Sequence, residues 1–114
     1  MTRKFVFLPS FLNKWKKIGL NEEDMRRLEN ELLADPKVGS VMKDTGGVRK
    51  MWFAFEDAGK SGSARVIYID FEVLEQIFFF DVFTKDKKEN LTQGERNEMK
   101  KMVKLIELSL EDSK

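Results

Sequence analysis

The 114-residue sequence contains no cysteine and no histidine. The absence of cysteine excludes a disulfide scaffold, a Cys-ligated zinc site and thiol catalysis. It also fits a reducing compartment, and we expect a cytoplasmic protein. The absence of histidine removes the commonest general acid–base and the commonest metal ligand. Any catalysis therefore has to use lysine, arginine, aspartate, glutamate or tyrosine.

Long apolar runs and a strong net charge are absent as well. No segment approaches the roughly 18 apolar residues that a membrane span needs, and the first residues, MTRKFVFLPSF, lack the apolar run of a signal peptide. The 21 basic and 20 acidic residues give a net charge of +1, which argues against a broadly basic nucleic-acid binder. If the protein acts on RNA, its positive charge has to be concentrated in one place, or another molecule has to hold the RNA.

The length indicates a single domain over residues 1–114. The pattern of apolar residues along the sequence predicts the order of the secondary-structure elements. RKFVFL predicts a short strand, and two helices follow it. The first starts at Pro9, and the second runs from an N-cap at Asn21 to the residues before Pro36. Three strands then read VRKMWFAF, ARVIYIDF and QIFFFDVF. A capping box of Thr92 and Glu95 opens a last helix.

This order predicts an α+β fold. We expect a small, mainly antiparallel sheet of about four strands, with two N-terminal helices and one C-terminal helix packed on one face. The other face is expected to stay open. The last two strands should form an antiparallel hairpin that turns near residues 72–75. Strict alternation in the last strand places Phe79, Asp81 and Phe83 on one side of the sheet.

Basic residues stand at or near the ends of these strands. Arg49 and Lys50 begin one strand, Arg65 begins the next, and the segment 85–88 follows the last. In an antiparallel hairpin, the start of one strand lies beside the end of the other, so Arg65 and Lys85 should be close in space. Lys60 precedes Arg65 in a Gly/Ser loop. The simpler interpretation is that these cations are solvated and blunt the sheet edges, with Asp81, Asp86 and Glu89 as possible partners.

Other candidate chemistry is weaker. The carboxylates lack metal-ligand spacing, so we expect no metal site and no cofactor; they are Asp57, Asp70, Glu72 and Asp81. Ser61 and Ser63 have no histidine partner, although an arrangement of serine with Lys60 is conceivable. Tyr68 is interpreted as a packed strand residue.

Three motifs, TGGVRKMWFA, GKSGSARVIY and VFTKDKKENLT, follow FLPSFLNKWKKIGL in that order. Together they resemble the RelE/HigB-like toxins of bacterial toxin–antitoxin systems, most closely the HigB-type branch. The resemblance extends over residues 5–101. It implies a metal-independent mRNA interferase that cleaves translated message in the ribosomal A site. It also implies a cognate antitoxin, a small helix-turn-helix protein, through which any contact with DNA would be made.

The resemblance assigns catalysis to Arg65, Lys85 and Lys88. RNA contacts are assigned to a second group, which consists of Arg49, Lys50 and Lys60. Phe83 stands where many relatives have tyrosine, so a phenol that could move a proton is missing. Two alternatives stay open: a non-catalytic module with this fold that acts through protein–protein or protein–DNA complexes, and a phage-derived protein whose sheet binds another partner.

Overall fold

In a computed structural model, which describes residues 2–56, 62–88 and 90–112, the chain has the predicted α+β architecture. The elements are β1 (Lys4–Phe7), α1 (Pro9–Ile18), α2 (Glu22–Ala34), β2 (Ser40–Val41), β3 (Arg49–Ala54), β4 (Ser63–Phe71), a 3-10 turn (Glu72–Leu74), β5 (Gln76–Thr84) and α3 (Gln93–Asp112). The sheet order is β1-β5-β4-β3-β2. β1 is parallel to β5, and the other neighbouring pairs are antiparallel. The sheet has one strand more than predicted, the two-residue β2.

The predicted helix ends are confirmed. Pro9 stands at the start of α1, and Gly19 ends this helix with a φ of 100°, a left-handed conformation that suits glycine. Asn21 and Asp24 form a reciprocal capping box at α2. At α3 the backbone N–H of Glu95 donates to Thr92 Oγ1, and the backbone N–H of Thr92 donates to Glu95 Oε1. Within the described ranges, no helix is long and apolar enough to cross a membrane.

A first core lies between one face of the sheet and the two N-terminal helices. Phe11 and Trp15 from α1 and Leu28 from α2 pack there against Phe53 of β3 and Phe79 of β5. The ring centroids of Phe11 and Phe79 are 5.2 Å apart, a distance typical of favourable aromatic pairs. This core fixes α1 beside β5.

The expectation of an open second face is wrong. A second core covers it, in which Val103 of α3 packs with Ile67, Ile69 and Phe83 of the sheet. The reason lies in β4, whose residues 64–69 are all buried. A continuous buried run of this kind belongs to a strand that is covered on both faces.

β5 contains a β-bulge. Ile67 is opposite Asp81, and the next residue of β4, Tyr68, is opposite Phe79, so Phe80 is an extra residue. Phe79 consequently lies in the first core and Phe83 in the second. The predicted strict alternation, which placed Phe79 and Phe83 on one side, is therefore wrong.

Candidate functional site

The centre of the candidate site is a row of side chains that crosses three strands. Arg65 on β4 is directly opposite Trp52 on β3 and Phe83 on β5. Residues that are directly opposite in antiparallel strands share a face and lie about 5 Å apart. Lys88, in the loop after β5, completes the row, since its Nζ is 4.9 Å from the ring centroid of Phe83. We call these four residues the aromatic–cation row.

Arg65 is buried, with 3% of its surface exposed. Its Cζ lies 4.5 Å from the ring centroid of Trp52. Its Nη1 donates to the backbone oxygen of Ser63 at 3.0 Å and to Ser63 Oγ at 2.9 Å. A cation over the face of a tryptophan ring is attracted by the quadrupole of the ring, by about 0.5–2 kcal/mol. The guanidinium is therefore held in one orientation against the indole.

Lys88 is held by two carboxylates. Its Nζ lies 2.6 Å from Oε2 of Glu95, in the first turn of α3, and 3.7 Å from Oδ2 of Asp81. The hydrogen bond from Lys88 is the main cause that lowers the pKa of Glu95, and the backbone N–H of Thr92 lowers this pKa further. The loop after β5 is thereby joined to α3 at the end of the row.

Asp81 connects the row to α1. This buried side chain accepts a hydrogen bond from Lys14 Nζ at 2.8 Å through the oxygen Oδ1, which also accepts from the backbone N–H of Val82. A groove of about 580 Å³ lies between α1 and the end of β5. The charged residues that line it are Lys14, Lys17, Asp81, Asp86, Lys87 and Lys88. Among the residues described there, cations therefore outnumber carboxylates along this groove.

The structure brings most of the predicted site residues to one end of the sheet. Thr84 is opposite Ala64, so Lys85, the next residue and an exposed one, follows the end of β5 beside the start of β4. The proximity predicted for Arg65 and Lys85 follows from this register. Lys50 is opposite Ile67, and its Nζ donates to Asn90 Oδ1 at 2.5 Å, in the same loop as Lys88.

Arg49, to which the resemblance assigns an RNA contact, does not lie with the other cations. Arg49 is opposite Tyr68, three residues along β4 from Arg65, and it lies on the other face of the sheet from its neighbour Lys50, which is opposite Ile67. Nη1 of Arg49 donates to the backbone oxygens of Lys37 and Gly39 at 3.1 and 2.6 Å. Lys60 lies outside the described residues, as do Asp57, Ser61 and Glu89.

Tyr68 is a packed residue, as predicted. It is fully buried, its hydroxyl donates to the backbone oxygen of Pro36 at 2.8 Å, and it accepts from the backbone N–H of Gly39 at 3.0 Å. Burial is the main cause that raises the pKa of this phenol. The hydroxyl is thus engaged in holding the α2–β2 loop against β4.

Three residues of the site have no role in the sequence-based hypothesis. Trp52 and Lys14 were assigned only to a strand and a helix, and Glu95 was assigned only to a helix cap. A signal existed for Trp52, because alternation along β3 places it on the same face as Lys50. Lys14 contacts Asp81, which is 67 residues away in the sequence, and Glu95 contacts Lys88 across the loop between β5 and α3. Periodicity relates neither pair.

Comparison with known proteins places this chain in a family. The model of the RelE toxin, from the RelE/RelB toxin–antitoxin system, matches residues 6–113. The chain belongs to the RelE toxin family. The match runs from β1 into α3 and includes the whole aromatic–cation row.

A solved RelE structure shares the fold. It is a mutant of the E. coli toxin RelE in the free state, which superposes with a TM-score of 0.53 at 16% sequence identity. The alignment covers 76% of this chain and 87% of that chain.

Proposed function

We propose that this member of the RelE family is a ribosome-dependent endoribonuclease that cleaves translated mRNA in the A site and so inhibits translation. In this proposal it is metal-independent, acts in the cytoplasm and is neutralised by a cognate antitoxin, a small helix-turn-helix protein. We also propose that it belongs to the HigB-type branch. The observation that supports the proposal is the convergence of Arg65, Lys88 and Lys85 at one end of the sheet.

The proposed reaction uses the message's own 2′-hydroxyl. Its oxygen loses a proton and attacks the adjacent phosphorus, and the P–O5′ bond breaks as the 5′-oxygen gains a proton. The phosphorane between these steps carries extra negative charge, so fixed positive charge lowers its energy. We assign proton transfer to Lys85 or Lys88. We assign the stabilisation of the phosphorane mainly to Arg65, which stays charged.

The burial of Arg65 determines how it can act. In the free protein, the guanidinium is a fixed positive charge beneath the surface, and such a charge is screened less than one in water. Because only 3% of Arg65 is exposed, direct contact between its guanidinium and two phosphate oxygens requires neighbouring side chains to move. Lys85 and Lys88 are more exposed, so in the proposal they meet the RNA first.

The net charge of +1 agrees with a nuclease that works on the ribosome. If the ribosome holds and orients the message, the protein needs no extended basic groove of its own. Positioning of reactants can account for several kcal/mol of a barrier. The RNA contacts proposed for Lys50, Arg49 and Lys60 would then supplement those made by the ribosome.

The test is cleavage of a defined message on purified, programmed ribosomes, mapped by primer extension. We expect cuts within the A-site codon by the unaltered protein. Arg65→Ala should cleave about 10²–10³-fold more slowly, the usual cost of removing one such group. Since Arg65 is buried, near-UV circular dichroism must show a folded variant. Lys88→Gln, at a more exposed position, provides a second test that does not depend on a buried residue.

Lys101→Gln is the matched control, because Lys101 is an exposed lysine of α3 that pairs with Glu98. It should cleave at the rate of the unaltered protein. The proposal fails if the unaltered protein leaves ribosome-bound message intact. The residue assignments fail if folded Arg65→Ala and Lys88→Gln both cleave at the normal rate.

A second candidate function is a non-catalytic binding module with this fold. The observation that favours it is the engagement of Lys88 by both Glu95 and Asp81. Controlled expression in growing cells separates the two. Growth arrest with message fragments cut at codon positions supports the nuclease, whereas normal growth with intact message supports the binding module.

A further inference from the structure

Trp52 is an exposed aromatic residue in the middle of the candidate site. It has 67% of its surface exposed, whereas Trp15, the other tryptophan, has 3%. Single exposed apolar residues are common on protein surfaces. Trp52 differs because a buried guanidinium is stacked on its ring and because Phe83 and Lys88 continue the same row.

The short strand β2 leaves the indole of Trp52 accessible. Within the described ranges, β2 pairs with β3 at Arg49 and Lys50 and ends there, so Trp52 stands beyond the last residue of β3 that β2 covers. Because Arg65 lies over one face of the ring and two-thirds of the residue is exposed, the indole presents a flat surface to the solvent. Arg65 also restricts the orientations of the ring, which lowers the entropy cost of stacking against it.

We propose that Trp52 binds one unpaired base of the message by stacking, next to the phosphate that is cleaved. This inference depends on the proposed function, since it names the part of the substrate that the indole holds. Stacking suits a base because every nucleobase has a π-face. Trp52 lies two strands from Phe83, roughly 10 Å, so a base on Trp52 lies near the cations of the row.

The cation behind the ring distinguishes this site from a purely apolar contact. Aromatic side chains next to positive charge are the usual elements of single-strand binding surfaces. The flanking cations, Lys50 on β3 and Lys85 after β5, are suited to the backbone on either side of a stacked base. An antitoxin side chain is the competing occupant of Trp52, and the experiment distinguishes the two.

The experiment compares Trp52→Leu, which removes the aromatic ring, with Trp52→Phe, which keeps a smaller one. Single-turnover cleavage is measured on programmed ribosomes at increasing toxin concentration. We expect Trp52→Leu to raise the half-saturating concentration roughly 5–150-fold, the range of one base-stacking contact. Trp52→Phe should raise the half-saturating concentration by a smaller factor. Val73→Ala, at an exposed residue of the hairpin turn, is the control and should match the unaltered protein.

A second measurement does not depend on cleavage. A short message analogue with 2′-O-methyl groups, which cannot be cut, is titrated while tryptophan fluorescence is followed. Stacking should quench the exposed Trp52, and Trp52→Phe, which leaves only Trp15, should lose this quenching. This titration keeps the inference testable if the unaltered protein fails to cleave on ribosomes, which would refute the proposed function alone.

Three results would overturn the inference. One is Trp52→Leu that saturates within twofold of the unaltered protein. Another is an equal rise in the half-saturating concentration for Trp52→Phe and Trp52→Leu while both remain folded, because an aromatic ring at this position would then make no difference. The third is the absence of quenching by the analogue. If Trp52→Leu keeps its RNA affinity and binds the antitoxin more weakly, the surface serves the antitoxin instead.

Discussion

Lys88 Nζ lies 2.6 Å from Oε2 of Glu95, a residue whose other carboxylate oxygen caps the first turn of α3. One carboxylate therefore stabilises a helix end and holds a cation of the candidate site. The pKa of Glu95 is lowered in the folded state, chiefly by the hydrogen bond from Lys88. The stabilising contribution is accordingly present above the ordinary pKa of glutamate and is lost as the pH falls through the lowered folded pKa.

Glu95→Gln tests this linkage. We expect it to lower the free energy of unfolding at pH 7 by about 1 kcal/mol, as the loss of a partly exposed ion pair and a weakened cap predicts. The difference should shrink as the pH falls from roughly 5 towards 3. Urea unfolding at several pH values measures it. Glu98→Gln, which alters a more exposed pair with Lys101, is the control. An equal difference at pH 7 and pH 3 would contradict the assignment.

Arg3→Met should be strongly destabilising. Arg3 Nε donates to Asp70 Oδ1 at 2.8 Å, and their side chains are 6% and 1% exposed. Removal of the arginine leaves a buried carboxylate, with Lys37 Nζ at 3.6 Å from Oδ2 as a longer contact. We expect a loss of about 3 kcal/mol in the free energy of unfolding, measured by urea denaturation.

A double variant shows whether the cost is due to the unpaired charge. Arg3→Met combined with Asp70→Leu removes both charges, and it should be less destabilised than Arg3→Met alone. If the double variant is as unstable as the sum of the two single variants, the two side chains act independently.

Tyr68→Phe should destabilise the fold and leave the proposed ribosomal cleavage by the folded protein unchanged. The change removes the partner of two buried backbone groups, the N–H of Gly39 and the oxygen of Pro36. Unsatisfied groups of this kind cost about 1–3 kcal/mol. Thermal and urea unfolding measure the loss. A large fall in ribosomal cleavage by a fully folded Tyr68→Phe would give the phenol a catalytic role.

The same residue gives a pH prediction. Tyr68 is the only tyrosine in the sequence, so phenolate absorbance reports it alone. Burial raises its pKa above the ordinary value of 10.0. The group therefore stabilises the fold most at lower pH, and this contribution is lost as the pH rises through the raised pKa. Titration of the native protein should have a midpoint above that of the urea-unfolded chain, and equal midpoints would contradict the burial.

Gly39→Ala should be destabilising for a steric reason. A Cβ at Gly39 would lie 2.9 Å from the backbone oxygen of Lys50 and 3.0 Å from Tyr68 Cε1. The first of these atoms belongs to the sheet and cannot move cheaply, so we expect a loss of about 1–3 kcal/mol. Gly94→Ala is the matched control. Its Cβ meets Thr92 Oγ1 at 3.8 Å in ordinary contact, and alanine favours the helix by up to about 1 kcal/mol.

Melting temperature distinguishes these two variants directly. Gly39→Ala should melt lower than the unaltered protein, and Gly94→Ala should melt at the same temperature or higher. A normal melting temperature for Gly39→Ala would mean that the loop before β2 can withdraw from β3.

The sequence predicted the elements and their caps because these depend on local patterns. Apolar spacing indicated the three helices and the hairpin of β4 and β5, and Asn21 and Thr92 marked two helix starts. β2 was missed because two residues carry no periodicity. The run Val66–Ile69 does not alternate between apolar and polar residues, and it therefore indicated that both faces of β4 are buried. The helix that covers the second face, α3, is distant in the chain.

The candidate site was predictable where strand pairing alone decided it. The proximity of Arg65 and Lys85 follows from the hairpin. The separation of Arg49 from Lys50 follows from alternation along β3, since adjacent residues of a strand lie on opposite faces of the sheet. The contact of Lys88 with Glu95 could not be predicted from spacing, since the path of the loop between β5 and α3 determines it.

The bulge in β5 has a consequence for any insertion or deletion in this hairpin. The extra residue Phe80 shifts the alternation of side chains between the two faces of the sheet by one position. The deletion of a single residue there would therefore turn Phe83 towards α1 and Val82 towards α3. The ring beneath Lys88 would then be gone, although every charged residue would still be present. One surplus phenylalanine thus decides which face of the sheet Phe83 lies on, and with it whether the aromatic–cation row is complete.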